Sequence, residues 1–167
     1  MPLADEIPEL PDEYLIEIGR VSVRWAILES FLDLNLIKLL GKSVLEVRSL
    51  VIFNHMAFPQ KLDVLGALIN ELQQSGYEGC DKYPPVQSLL RQAQEKRNSL
   101  LHAKIGYDQN GKVSASRISA RGKFKMMQTE ISVPDIKEMS ALIYKAAEEL
   151  HTLVNNELKA PRNLGSS

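Results

Sequence analysis

Apolar positions in the first quarter of the chain recur at alternating spacings of three and four. Ile18, Val21, Trp25, Leu28, Leu32, Asn35 and Leu39 mark one seam of a helix running from about Pro11 to Leu40, the period of a packed amphipathic helix. Ile16, Val23, Ile27, Leu34 and Ile37 widen that apolar surface well beyond one stripe. A helix this apolar is expected to be covered on more than one side. Pro11 suits a first turn, acidic residues crowd the N-terminal part, and Gly41 can close the C-terminus. At about 1.5 Å per residue the helix would be roughly 45 Å long, enough to serve as the spine of a bundle.

Ser43-Val44-Leu45-Glu46 reads as a capping box opening a second helix that runs to Phe53 or Asn54. Pro59 restarts a helix carrying Leu62, Leu65, Leu68, Ile69 and Leu72, which Ser75-Gly76 ends. Residues 76–85 read as a loop. A further helix from about Val86 carries Leu89, Leu90, Ala93, Leu100 and Leu101. After Lys104 the period changes. Ile105 to Asp108 and Lys112 to Ser114 flank Asn110-Gly111, a strong hairpin signal, and Phe124 to Val133 can add a third strand. Ser132 to Asp135 caps a last helix whose face is Ile136, Met139, Ile143, Ala146, Leu150, Leu153 and Val154.

The expected architecture is therefore all-α: a bundle of four to five helices with a small β-hairpin or meander inserted before the last one. It reads as one domain over 11–160, with the insert at 104–132 and a disordered tail at 161–167. Apolar residues make up 44% of the chain and charged residues 25%, the proportions of a globular protein rather than a disordered one.

One cysteine, Cys80, excludes an intramolecular disulfide and a cysteine-based zinc cluster. It falls in a polar stretch with nothing local to activate it. The start of the chain is acidic and proline-punctuated, unlike a signal peptide, and no apolar run is long enough for a bilayer span. A cytoplasmic protein without membrane contact is expected. His55, His102 and His151 are not in metal-ligand spacing, and no HExxH, P-loop, GxSxG or GxGxxG sequence occurs. No metal and no cofactor are expected.

One constellation stands out: Lys96-Arg97-Asn98-Ser99-Leu100-Leu101-His102, at a helix end just before the hairpin. Asn98 and His102 are four apart and share a face, with Arg97 at its flank. That inventory suits metal-free RNA cleavage. A neutral imidazole can take the proton of a ribose 2′-hydroxyl, or as imidazolium give one to the leaving oxygen. A guanidinium can neutralise phosphoryl charge, and an amide can orient the phosphate or the imidazole. One histidine cannot be acid and base at once, so the motif makes more chemical sense in a homodimer that duplicates it across a two-fold axis. The competing structural reading is a histidine that caps a helix C-terminus.

Charge segregation adds to the picture. The net charge is −1, which conceals nine basic residues from Arg91 to Lys125 against only Glu95 and Asp108. Lys96, Lys104, Lys112, Arg117, Arg121, Lys123 and Lys125 can follow a phosphate backbone, and Tyr107 and Phe124 offer stacking faces. Glu29 lies one turn after Trp25 and is either a solvent-facing residue or a carboxylate supporting Arg97 or His102.

The string RNSLLH resembles the R-x4-6-H signature of the HEPN superfamily (higher eukaryotes and prokaryotes nucleotide-binding domains), in its R-N-x-x-x-H form. The context is similar as well: a long first helix carrying Trp25 and Glu29, the motif near the end of a later helix, and a closing helix. The resemblance spans roughly Leu15 to Val154, and only the motif is specific. It implies a metal-independent endoribonuclease working as a dimer, with Arg97 and His102 catalytic and Asn98 as the polar residue after the arginine. It also implies a setting in toxin–antitoxin, phage-defence or RNA-processing systems, with an antitoxin or defence-system partner. Non-catalytic members imply the alternative, a helical interaction or nucleotide-binding module. The basic hairpin insert is not part of the minimal bundle.

Overall fold

The computed structural model describes residues 9–41, 47–119 and 125–161. Helix α1 spans Asp12–Leu39, α2 Val47–Asn54, α3 Phe58–Gln74 and α4 Tyr83–Leu101. Strands β1 (Lys104–Tyr107), β2 (Val113–Ser119) and β3 (Lys125–Glu130) follow, and α5 (Val133–Thr152) runs into a π turn over Leu153–Glu157. The described residues thus form five helices and a three-stranded antiparallel sheet inserted before the last helix. The expected capping box at 43–46 and residues 162–167 of the expected tail lie outside the described residues.

Buried side chains from four helices meet in one core. Val21, Trp25, Leu28, Leu32 and Leu36 of α1 pack with Leu62, Leu65 and Ile69 of α3, Leu90 and Leu100 of α4, and Ile136, Ile143 and Leu150 of α5. Helices α1 and α5 lie side by side, with Arg24 over the Tyr144 ring and Phe31 near His151. Helix α3 is tied to α1 by the Trp25–Phe58 ring contact at 4.5 Å and by a buried Lys61–Asp33 ion pair at 2.6 Å. Asn35, at a seam position, bonds its own helix at the Phe31 carbonyl.

Helix α4 begins three residues before the expected start. Pro84 and Pro85 fall in its first turn, where a missing N–H costs nothing, and a single 3-10 turn over Cys80–Lys82 leads into it. Gly79 before that turn has φ +83°, and a Cβ there would sit 2.3 Å from the Glu157 carbonyl oxygen. The loop is pressed against the end of α5 in a way only glycine allows.

Asp108 builds the first β turn, accepting the N–H groups of Asn110 and Lys112, while Gly111 takes a positive φ. Strand β2 is longer than the hairpin pattern predicts because it pairs with β1 along one edge and β3 along the other. Tyr14 donates to the Ile131 carbonyl and Tyr107 to the Glu9 carbonyl, fixing the sheet beside the start of α1.

At the head of α5, the Ser132 Oγ accepts the Asp135 N–H while the Asp135 carboxylate accepts the Ser132 N–H at 2.8 Å. The Ser132 hydroxyl and then its N–H hold the Asp135 carboxyl below the usual carboxylate range. A depressed carboxyl stabilises the fold above its unfolded value, near 3.8, and loses that contribution as pH falls through the folded value. Ser132→Ala is therefore expected to lower the thermal midpoint by a few degrees at neutral pH. The gap from the parent should narrow in strong acid. An unchanged gap there would mean the carboxylate contributes nothing to the cap.

One expectation about α1 is met only in part. Ile37 is buried, but Ile16, Val23, Ile27 and Leu34 stand exposed on the outer face of the helix, with Phe31 beside them. Among the described residues, nothing covers that stripe.

Candidate functional site

The R-x4-H motif closes α4. Arg97, Asn98 and Ser99 lie in its last turns and His102 is its C-cap, with φ −102° and ψ 6°. There the chain leaves helical geometry for β1, which lets the His102 ring turn back over the preceding turn. The Arg97 Nη1 lies 3.2 Å from His102 Nε2 and donates to Asn98 Oδ1 at 3.0 Å. A guanidinium has only donors, so Nε2 can join this contact as a hydrogen bond only as the acceptor. All three motif side chains expected to act together are joined in one network.

Trp25 completes it. The Arg97 guanidinium carbon lies 5.3 Å from the centre of the indole ring, a cation–π contact between the motif helix and the buried face of α1. Arg97 Nε is buried there with no hydrogen-bond partner. An unpaired buried donor costs about 1–3 kcal/mol, and a cation–π contact returns about 0.5–2 kcal/mol. The two roughly cancel, so burial against Trp25 positions the guanidinium more than it stabilises the fold. His102 itself is exposed. The site therefore has a fixed, half-buried cation and an imidazole open to solvent.

The sequence pattern placed Trp25 in the core and gave no sign of this second role. Residues 25 and 97 belong to separate helices, and no local spacing records their meeting. Glu29 is half-buried, and no described ion pair joins it to Arg97 or His102. The guanidinium faces Asn98, His102 and Trp25 instead.

The basic candidates divide. Lys96 and Arg117 are exposed and line two adjoining grooves between α4 and the sheet. One, about 530 Å³, also takes in Asn98 and Ser99; the other, about 280 Å³, has an apolar floor of Ala115, Met127 and Met139. Asn98 is the link, lining the first groove while accepting a hydrogen bond from Arg97. Lys104 is exposed at the head of β1. Lys112 is exposed but grips both oxygens of Glu130, whose hydrogen bonds and charge push its ammonium pKa up. Lys125 begins β3, while Arg121, Lys123 and Phe124 lie outside the described residues. Ser99 and Met127 are groove residues that the sequence pattern did not single out.

The other chemical candidates stand apart. Cys80, read from sequence as lying in a polar loop, is buried, and burial, then Asp81, pushes its thiol pKa up. A raised thiol is a poor nucleophile at neutral pH. His151 contacts Asn155 and Phe31, and His55 is exposed at the end of α2. A cleft of about 500 Å³ between α4 and α5, at Lys82, Gln92, Lys145, Glu149 and Glu157, contains none of the motif residues. Among the described residues, no group of three His, Cys, Asp or Glu is placed to hold a metal ion, and no helix is long and apolar enough to cross a membrane. Set against known proteins, the chain matches no family model, no curated protein and no solved structure.

Proposed function

We propose that this chain is a metal-independent endoribonuclease of HEPN type. The observation that carries the reading is the 3.2 Å approach of Arg97 Nη1 to His102 Nε2 at an open helix end. One phosphodiester can meet both groups. Its non-bridging oxygens take hydrogen bonds from the guanidinium, which draws Arg97 off the imidazole and frees Nε2. Nε2 then accepts the proton of the ribose 2′-hydroxyl. The 2′ oxygen bonds to phosphorus, the bond from phosphorus to the 5′ oxygen breaks, and that oxygen takes up a proton as it leaves. The products are a 2′,3′-cyclic phosphate and a free 5′-hydroxyl.

RNA suits the site because it brings its own nucleophile. The protein needs only a base, a fixed cation and a place for the strand. Lys96 and Arg117 offer charge for neighbouring phosphates, and the Met127–Met139 floor offers an apolar seat for an unstacked base. Lys104 adds a further exposed charge at the head of β1. On this reading the setting is cytoplasmic, in a toxin–antitoxin or phage-defence system with its cognate partner. The homodimer of the sequence reading stays in the proposal, and its geometry decides the acid. Copies with apposed His102 rings supply base and acid from two chains, whereas copies turned apart leave the departing oxygen to water.

A second reading has its own observation. Trp25, Asn98 and His102 already engage Arg97 within the chain, as they would if the network only fastened α4 to α1 in a non-catalytic module. Incubation of the purified chain with single-stranded and hairpin RNAs in EDTA separates the two. Cyclic-phosphate ends support the ribonuclease, and intact RNA throughout favours the module.

A further inference from the structure

Helix α5 turns one face of its N-terminal half toward the end of α4. Asp135, Glu138, Met139 and Leu142 follow one another at helical neighbour spacing and, with Lys96 of α4, bound a depression of about 250 Å³. That depression shares Lys96 and Met139 with the apolar groove of about 280 Å³. The apolar groove in turn shares Lys96, Ser99 and Arg117 with the groove that Asn98 lines. The three form one trough leading from the Arg97–His102 site to the head of α5. It has a guanidinium near the motif, an apolar middle, and an ammonium and carboxylates at the far end.

We infer that the far end of this trough selects a guanine base in a single-stranded segment beside the cut. The guanine seat rests on the RNA-cleaving reading of the adjoining site and adds to it which base the strand must carry. Of the two carboxylates at that end, Asp135 is taken up by the Ser132 N–H and hydroxyl in the α5 cap. Glu138 is exposed and has no ion pair among the described residues. Its two oxygens are a ready pair of acceptors. Lys96 is exposed and equally without an ion pair among the described residues, and its ammonium only donates.

Guanine alone among the four RNA bases offers two adjacent donors, N1–H and the N2 amino group, with the O6 acceptor next to them. Glu138 accepts both donors and Lys96 donates to O6, all in charge-assisted bonds. Adenine and cytosine set a ring-nitrogen acceptor beside their amino group, where it repels a carboxylate. Uracil has a single ring donor between two carbonyls. The guanine ring lies on Met127 and Met139, whose polarisable thioethers suit an aromatic face. Met127 is 46% exposed, so that seat is open to an incoming base.

Lys96 borders all three depressions, so its ammonium serves the base while Arg117 holds the phosphate. A depression of this size takes one unstacked base, the form in which single strands and loops present their edges. A duplex hides the same edge by pairing. The contacts use the base and not the 2′-hydroxyl, so a DNA strand fits the seat as RNA does.

Deoxy oligonucleotides carry the same base edge and lack the nucleophile, so binding and cleavage are read separately. In fluorescence anisotropy, the whole chain should bind a short labelled thymidine strand with one central guanine about ten-fold more tightly than the all-thymidine strand. Hypoxanthine at the same place lacks the N2 amino group and should lose most of that gain. Glu138→Gln should bind the guanine and hypoxanthine strands alike, with an unchanged circular dichroism spectrum. When RNA is cut in EDTA, the sequenced ends should carry guanine at one fixed position beside the cut. Guanine-selective binding that Glu138→Gln abolishes, in a chain that cuts no RNA, keeps the seat and removes the ribonuclease. Cleavage without a guanine preference, or with one that Glu138→Gln leaves intact, overturns the seat and leaves the ribonuclease standing. Equal binding of all the strands, or none, would also overturn the seat.

Discussion

Replacing His102 with alanine is expected to lower RNA cleavage in EDTA by roughly a hundred- to ten-thousand-fold, the usual contribution of a positioned general base. The side chain is exposed and caps α4 only through its backbone N–H, which bonds the Asn98 carbonyl whatever the side chain. Folding should hardly change. Arg97→Ala is expected to cost a further-reaching but comparable roughly hundred- to thousand-fold, because it removes the donor aimed at phosphoryl charge. Its effect on stability is the informative control. The cation–π gain over Trp25 and the unpaired buried Nε nearly cancel, leaving about 1 kcal/mol for the hydrogen bonds to Asn98 and His102. Arg97→Lys keeps the charge but loses the planar fork that spans both partners, so most of the activity should be lost with it. The comparison is made by initial rates on one RNA and by urea denaturation of the same preparations. Undiminished cleavage by His102→Ala would sink the ribonuclease reading. A large stability loss in Arg97→Ala with no activity to lose would favour the structural module.

The period of three and four located α1, α3, α4 and α5, because each buries one stripe in a shared core and periodicity records that burial directly. Asn110-Gly111 gave the hairpin for an equally local reason: Gly111 must take a positive φ. Boundaries were less visible where tertiary contacts decide them. Two prolines that look like a loop begin α4, and β2 is lengthened by a partner strand that comes later in the chain. The motif was legible because Arg97, Asn98 and His102 are close in sequence. Trp25 beneath them was not, nor was the Met127 groove, since those contacts join residues far apart along the chain. The wide apolar surface of α1 predicts cover on more than one side, yet only the core-facing stripe and Ile37 are buried, while Ile16, Val23, Ile27 and Leu34 stand exposed; apolar periodicity records a helix's surface but not what packs against it.

The second large effect concerns the platform under the site. Lys61→Met is expected to destabilise the protein by about 3–5 kcal/mol, because it strands a buried carboxylate. The Lys61 and Asp33 side chains are 6% and 9% exposed, with Lys61 Nζ 2.6 Å from Asp33 Oδ1. The contact is ionic rather than well directed, since the same oxygen has no hydrogen bond of good geometry. Such a pair contributes little net stability as a whole, yet breaking it from one side is costly. Asp33→Val combined with Lys61→Met should therefore recover most of the loss, making the two substitutions strongly non-additive. The readout is built in, because Trp25 is the single tryptophan and packs on Phe58 in the first turn of α3. Its emission follows both urea unfolding and any loosening of α3 from α1. A loss below about 1 kcal/mol in Lys61→Met would mean that water screens the pair as at a surface. If the double variant regains stability with Trp25 still packed, it should also retain whatever activity Arg97 supports. The ion pair would then be a clamp on α1 and α3, and the indole beneath Arg97 would depend on the packing it secures rather than on its charge.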